Sequence, residues 1–138
     1  MGNIAKLFVY IELNSVKLPQ EKIKMIWSDD DVFFSLKGDI YVEFEGKEKI
    51  EKIRHDDYCN IRYEMIQNGE SLNDIMLAFI KKQSGNLDEL INICSDINRK
   101  IHVCIYPEME QYTAGFSTEL MQLLSSSNIE IGLTILNF

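Results

Sequence analysis

Residues 6–13, KLFVYIEL, alternate with a period of two. Leu7, Val9, Ile11 and Leu13 fall on one side, and Lys6, Phe8, Tyr10 and Glu12 on the other. That pattern predicts a strand with one buried face. Asn14-Ser15 interrupts it. Pro19 suits the first turn of a helix, where its missing N–H would have no partner anyway. Ile23, Ile26 and Trp27 supply the apolar stripe of that short helix. Asp29, Asp30 and Asp31 then stop it, because negative charge at a helix C-terminus opposes the macrodipole. VFFSL (32–36) and DIYVEFE (39–45) read as two strands of a hairpin that turns near Lys37-Gly38. The charged stretch 46–57 reads as a short helical turn or a solvated loop, and YCNIRYEMI (58–66) as another strand.

The second half alternates between the two periods. Asn68-Gly69 punctuates the chain. Ser71 with Asp74 three residues on opens a helix carrying Leu72, Ile75, Met76, Phe79 and Ile80 on one face. Ser84-Gly85 reads as its end. Asn86 with Glu89 reads as the start of another, with Leu87, Leu90, Ile91 and Cys94 on its stripe. IHVCIY (101–106) is a strand ended by Pro107. Ser117 caps a helix bearing Leu120, Met121, Leu123 and Leu124. In NIEIGLTIL (128–136), Ile129, Ile131, Leu133 and Ile135 are expected to face inward.

The predicted order is β, α, β-β, β, α-α, β, α, β. With strands outnumbering helices, the expected class is α+β: a mostly antiparallel sheet with helices packed on one face. The pieces 6–27 and 101–125 share a strand–turn–helix form, a hint of an internal duplication of the ferredoxin-like, split βαβ kind. No linker or low-complexity tract divides the chain, so residues 1–138 are expected to form one domain, as the length suggests.

Composition narrows the partners. Lys and Arg number 14 against 22 Asp and Glu, a net charge of -8. This argues against general nucleic-acid binding, which relies on cations neutralising phosphates, and against docking on anionic lipid. It suits a basic protein partner. The charge is uneven along the chain. Residues 1–27 carry four positive and two negative charges, net +2; residues 28–57 carry five and ten, net -5; residues 58–83 balance at three each; residues 84–138 carry two and seven, net -5. The N-terminus lacks the layout of a signal peptide, Lys6 stands where a myristoylation motif wants Ser or Thr, and no apolar run approaches a membrane span. Cys59, Cys94 and Cys104 form neither a disulfide framework nor a C-x-x-C pair. They read as small buried hydrophobes in a reduced, cytoplasmic protein.

Candidate chemistry is sparse. His55-Asp56-Asp57 joins an imidazole to carboxylates, as a base or metal site would, yet it closes a run of Lys and Glu that reads as solvated surface. Asp29-Asp30-Asp31 resembles the opening of a calcium loop, but Phe34 and Ile40 stand where such a loop needs Gly and Glu. His102, Cys104 and Tyr106 share one strand face, and Phe8 and Tyr10 share the second face of the first strand. No phosphate-cradling or nucleophile-elbow motif is present. Nothing calls for a metal or a cofactor, and no catalytic residue is assigned.

The run IHVCIYPEMEQYTAGFSTELMQLLSSSNIEIGLTIL resembles the C-terminal half of the bacterial domain-of-unknown-function 4279 family. SLNDIMLAFIKKQSGNLDELINI is similar to that family's paired helices, and KLFVYIEL with LPQEKIKMI to its opening strand and Pro-started helix. The chain departs from the family at Tyr58, where a Trp is usual, and at Asn137, where an acidic residue is usual. The resemblance implies a compact α+β fold in a group of small bacterial proteins that look like the immunity partners of secreted toxins. It carries no catalytic residues with it. The expectation is therefore a cytoplasmic, non-enzymatic immunity protein that occludes a toxin domain, such as a basic nuclease, sterically and electrostatically. Asp29, Asp30, Asp31, Glu43, Glu45, Asp56 and Asp57 are its expected partner-binding residues. The alternative is a small-ligand or regulatory domain using the sheet face around Phe8, Tyr10, His102 and Tyr106. A further possibility is an enzyme using His55 or Cys104.

Overall fold

The computed structural model describes residues 4–108 and 115–136. Gly2, Asn137 and the 109–114 part of the C-terminal run lie outside them. The elements are β1 (Ile4–Ser15), α1 (Gln20–Ile26), β2 (Asp31–Ser35), β3 (Ile40–Glu45), β4 (Glu48–Ile53), β5 (Asp57–Met65), α2 (Leu72–Ile93), β6 (Asn98–Pro107), α3 (Thr118–Ser126) and β7 (Glu130–Ile135). The class is α+β. A five-stranded sheet runs β2-β5-β1-β6-β7, and β3 pairs only with β4 in a separate two-stranded sheet. Every pairing is antiparallel except β6 with β7.

β1 is the central strand, in register with β5 on one side and β6 on the other. β1 and β2 both pair with β5, so the connection through α1 leaves a slot that β5 fills. β5 and β6 flank β1 in the same way across α2. Both crossovers therefore have the split β-α-β form. β6 and β7, joined by α3, lie directly side by side. The pieces 6–27 and 101–125 thus enter the sheet differently, and an internal duplication is not established.

The core lies on one face of this sheet. Leu7, Val9, Ile11 and Leu13 are buried there, as the alternation predicts, with Cys59 and Ile61 of β5 and Ile101, Val103 and Ile105 of β6. Ile23, Met76, Phe79, Ile80, Leu90, Leu120 and Leu124 from the three helices complete the cluster. Leu133 and Ile135 depart from expectation at 40% and 43% exposed. β7 is the outermost strand, and among the described residues no strand covers their far side.

Ser71 and Ser117 cap α2 and α3 as predicted: each hydroxyl accepts a backbone N–H three residues on, from Asp74 and Leu120, both at 3.1 Å. Two helices were expected between 71 and 94, but α2 is continuous from Leu72 to Ile93. Phe79, Ile80, Gln83, Leu87 and Leu90 are buried along one stripe that runs straight through Gly85. A helical Gly costs only about 1 kcal/mol relative to Ala, less than this burial provides. The Ser84 hydroxyl donates back to the Lys81 carbonyl at 2.9 Å instead of breaking the helix.

The hairpin is also displaced from its expected place. VFFSL and DIYVEFE do not pair: β2 joins the main sheet, and β3 pairs with the stretch read as helical turn or loop, which forms β4. Gly38 does turn the chain, with φ +93°, but its N–H donates to the Arg54 carbonyl at 2.9 Å, at the root of the β3–β4 arm. Gly46, with φ +65°, opens the two-residue loop between Glu45 and Glu48, the position where a primed hairpin turn calls for glycine.

A polar line running from the interior to the surface ties the end of α1 to α2 and β5. Trp27 Nε1 donates to Gln83 Oε1 at 3.0 Å, and Gln83 Nε2 donates to the Tyr63 hydroxyl at 3.2 Å. That hydroxyl donates to Asp30 Oδ2 at 2.7 Å. Among the described residues no helix is long and apolar enough to cross a membrane.

Candidate functional site

The second face of the main sheet is not covered by the helices. Phe8, Tyr10 and Glu12 of β1, Tyr58 and Asn60 of β5, and His102, Cys104 and Tyr106 of β6 stand on it, all half-buried. The pairs Phe8–Cys104 and Tyr10–His102 are in register, so the residues singled out on separate strands share one surface. Phe8 and Tyr106 meet edge to face at 6.2 Å, and the Arg62 guanidinium lies 4.6 Å over the Phe8 ring.

One polar line crosses this face. Thr134 Oγ1 lies 2.7 Å from His102 Nε2, and His102 Nδ1 lies 3.3 Å from Glu12 Oε1. The Tyr58 hydroxyl donates to Glu12 Oε2 at 2.6 Å. The roles are consistent if Nδ1 carries the proton: Thr134 donates to Nε2, and Nδ1–H donates to Glu12. Burial, and then the Glu12 carboxylate it donates to, push the Tyr58 phenol pKa up, so it stays protonated. The sequence hydroxyl–imidazole–carboxylate is that of acyl-transfer triads. Here both Glu12 oxygens are engaged, and the line joins four strands, β7, β6, β1 and β5, into a fixed surface.

Gly132 belongs to the same place. A Cβ there would stand 2.8 Å from Lys100 Cε and 3.1 Å from His102 Nδ1. The missing side chain lets the Lys100 stem cross β7 beside the imidazole. At this end of the sheet lies a cleft of about 350 Å3, lined among others by Glu12, Tyr58, Arg99, Lys100, Asn128 and Glu130. Asn128 takes φ +52° in the turn after α3, a conformation that asparagine tolerates better than most residues.

A different surface surrounds the β3–β4 arm. Ile40, Val42, Phe44 and Ile53 are between 49% and 68% exposed. Their positions on the two strands alternate onto one side of the arm. Tyr41, Glu43, Glu45 and Lys52 occupy the other, where Lys52 pairs with Glu43 and lies 3.9 Å from Glu45. The Lys52 ammonium holds the Glu43 carboxyl below its ordinary range. Arg54 fastens the arm to the main sheet. Its guanidinium lies 3.8 Å from the Tyr41 ring centre and 4.3 Å from that of Tyr58, and its Nε donates to Ser35 Oγ at 3.0 Å.

The seven acidic residues expected at a partner interface are not all brought together. Glu43 and Glu45 lie along the arm and Asp56 is exposed at its root. Asp29, Asp30 and Asp31 gather at the other end of β2. Asp31 is opposite Arg62 while Ser35 is opposite Tyr58, a separation of about 13 Å along the strand. Asp30 is engaged by Tyr63, and Asp31 stands 4.0 Å from Arg62. Asp57 is buried, and its two oxygens accept the backbone N–H groups of Leu18 and Lys37, each at 2.9 Å. It holds the fold and presents no free carboxylate to a partner.

His55 is exposed, and Asp57 turns away from it into the interior. Among the described residues no three His, Cys, Asp or Glu side chains gather as a metal site would. Only Cys59 of the three thiols is fully buried, and burial pushes its pKa up to about 12. Cys94 and Cys104 are half-buried, in contrast to the expectation; Cys94 donates to Asp96 Oδ1 at 2.7 Å. Sequence reasoning missed Thr134 and Gly132 as parts of the open face. Alternation placed Glu12 on it, but the partner strands could not be read. Comparisons of the chain with protein-family models, with curated proteins and with solved structures yield no match in any of the three.

Proposed function

We propose that this chain is a non-catalytic binding protein of the immunity type, which captures a basic toxin domain in the cytoplasm through its β3–β4 arm. The observation that carries the reading is the arm itself. It projects a sheet face with four exposed apolar side chains from a segment, 28–57, whose net charge is -5. Contiguous exposed apolar surface on a folded domain marks an interaction site more often than chance. The adjoining acid supplies steering toward a cationic partner and suppresses wrong ones. Glu43 and Glu45 lie on the opposite side of the strand that carries Val42 and Phe44. A partner gripping this strand meets apolar surface on one side and acid on the other. Asp56 extends the acid at the root; Asp29, Asp30 and Asp31 form a second, more distant group.

The test is co-expression with the gene product encoded immediately upstream, read as rescue of growth. A double variant, Val42→Asp with Phe44→Asp, is expected to fold and to lose rescue. Absence of rescue by the wild-type chain, or undiminished rescue by the double variant, overturns the proposal. The alternative of a small-ligand domain is favoured by a separate observation, the cleft on the open sheet face.

A further inference from the structure

The two edges of the main sheet are finished differently. At one edge β2 leads directly into the β3–β4 arm, and Arg54 at the root of that arm donates to Ser35 at the end of β2. At the other edge, β7 has no strand beyond it among the described residues. An edge strand presents a row of unpaired backbone groups, which folded proteins commonly blunt with Pro, Lys, an inward charge or a bulge. EIGLTI has no Pro and no Lys, its register with β6 is regular, and its only charge, Glu130, is its first residue.

The direction of the free groups follows from one bond. The Leu136 N–H donates to the Ile105 carbonyl at 2.8 Å, so the even-numbered residues of β7 turn their backbone groups toward β6. Those of Ile131, Leu133 and Ile135 therefore point outward. The same three residues are in register with Ile101, Val103 and Ile105, whose side chains are buried on the helix-covered face. Leu133 and Ile135 stand on that face and remain 40% and 43% exposed. The edge thus combines unpaired backbone groups with incompletely covered aliphatic side chains.

We propose that β7 pairs antiparallel with β7 of a second copy of this chain, about a two-fold axis through Leu133, and joins the two sheets edge to edge. In this register Leu133 lies opposite Leu133 of the second copy, and Ile131 opposite its Ile135. Each such pair exchanges both backbone bonds, so every outward group finds a partner. The aliphatic pattern at 131, 133 and 135 reads the same in both directions, and the facing side chains cover one another. Glu130 falls opposite Leu136 and meets no like charge. Charge also favours a second copy at this edge, although the whole chain carries -8. Residues 115–136 contain no Lys or Arg and only two carboxylates, Glu119 and Glu130, and Glu119 stands 3.3 Å from Lys81. This edge has little charge with which to steer a basic partner and little local repulsion between copies. It lies across the sheet from β2, where the chain enters the arm, so pairing leaves both arms free and does not depend on their binding a toxin.

The experiment is sedimentation equilibrium of the full chain, with amide hydrogen exchange, from about 5 μM to 1 mM. A seam of one short strand is small beside a standard interface, so a dissociation constant on the order of 10–100 μM is expected. Raising NaCl from about 50 to 500 mM should tighten the dimer about threefold or more, because it screens the repulsion of two acidic copies. The Ile131, Leu133 and Ile135 amides should exchange about fivefold more slowly at the high concentration than at the low one. Leu133→Pro removes an outward N–H and leaves the β6 ladder intact, so it should abolish association. Leu133→Lys and Leu133→Glu should each be monomeric alone and form a heterodimer when mixed, since the two positions face each other. Four results overturn the proposal: a monomer throughout the range, a dimer retained by folded Leu133→Pro, a Lys–Glu mixture no more associated than its parts, or a dimer lost in the arm variant Val42→Asp with Phe44→Asp. The wild-type exchange series decides the matter even if a variant fails to fold.

Discussion

The five-stranded sheet and the β3–β4 arm are written in the same alternating code, yet one buries its apolar residues and the other displays them. Ile11 and Phe44 both sit within strands, each with an apolar residue two positions before it, Val9 and Val42. Ile11 is fully buried, and Phe44 is 66% exposed. The difference is the second layer. α1, α2 and α3 lie against one face of the main sheet, whereas among the described residues β3 and β4 pair only with each other, and the arm is held at its root by Arg54, which stacks on Tyr41 and Tyr58 and donates to Ser35. A strand pattern therefore specifies that one face wants cover and leaves open whether the chain itself provides it. Where the chain does not, the face is available to another molecule.

The sharpest break of this comparison is a matched pair of truncations. Ile11→Ala should destabilise the protein by about 2–5 kcal/mol, while Phe44→Ala should change stability by no more than about 0.5 kcal/mol. Urea unfolding of both variants checks this; equal losses would place the arm within the core. Next in size is the alkaline limb of stability. The Cys59 thiol rises from 9.0 to about 12 in the folded state, so its neutral form is favoured there. Its contribution is fully present below pH 9 and is lost as pH rises from 9 toward 12, because the unfolded chain ionises first. Cys59→Ala should flatten that fall, and urea midpoints measured from pH 8 to 11 would detect it.

Gln83→Leu would leave Trp27 Nε1 without an acceptor and should cost about 1–3 kcal/mol, measurable as a lowered thermal midpoint. Gly85→Ala should act in the opposite direction. The site is helical and a Cβ there meets nothing within 4 Å, so stability should rise by about 0.5–1 kcal/mol. A loss would indicate a break between two helices. The smallest effect belongs to the arm: Glu43→Gln removes its exposed pair with Lys52 and should leave the urea midpoint unchanged while slowing association with a basic partner, seen in the salt dependence of the on-rate.

Local physics was legible in the chain. The alternation of β1, the Ser71 and Ser117 caps, the stop at Asp29–Asp31 and the turn at Gly38 all depend on neighbours within a few residues, and each is where the pattern puts it. Failures arose where long-range pairing decides. GKEKIEKI has weak strand character of its own, and it becomes β4 because β3 is free to pair with it. Ser84-Gly85 has the residues of a helix stop, and packing along the α2 stripe overrides them. The site followed the same division. Alternation placed Phe8, Tyr10, His102 and Tyr106 on second faces, but which strands would be neighbours was not encoded locally, so the line from Thr134 through His102 and Glu12 to Tyr58 could not be read.

The acidic residues show the limit most clearly. Residue order alone shows that 28–57 is strongly acidic and that 32–36 and 39–45 are strands. Tertiary packing turns Asp57 inward to serve two backbone N–H groups, joins Asp30 to the Tyr63 line, and leaves Glu43 and Glu45 on a projecting arm. The physical reason is range. Propensity, capping and periodicity act over one or two turns of chain, whereas burial and hydrogen-bond partnership are set by residues such as Leu18 and Asp57, 39 positions apart, which meet only when the sheet closes.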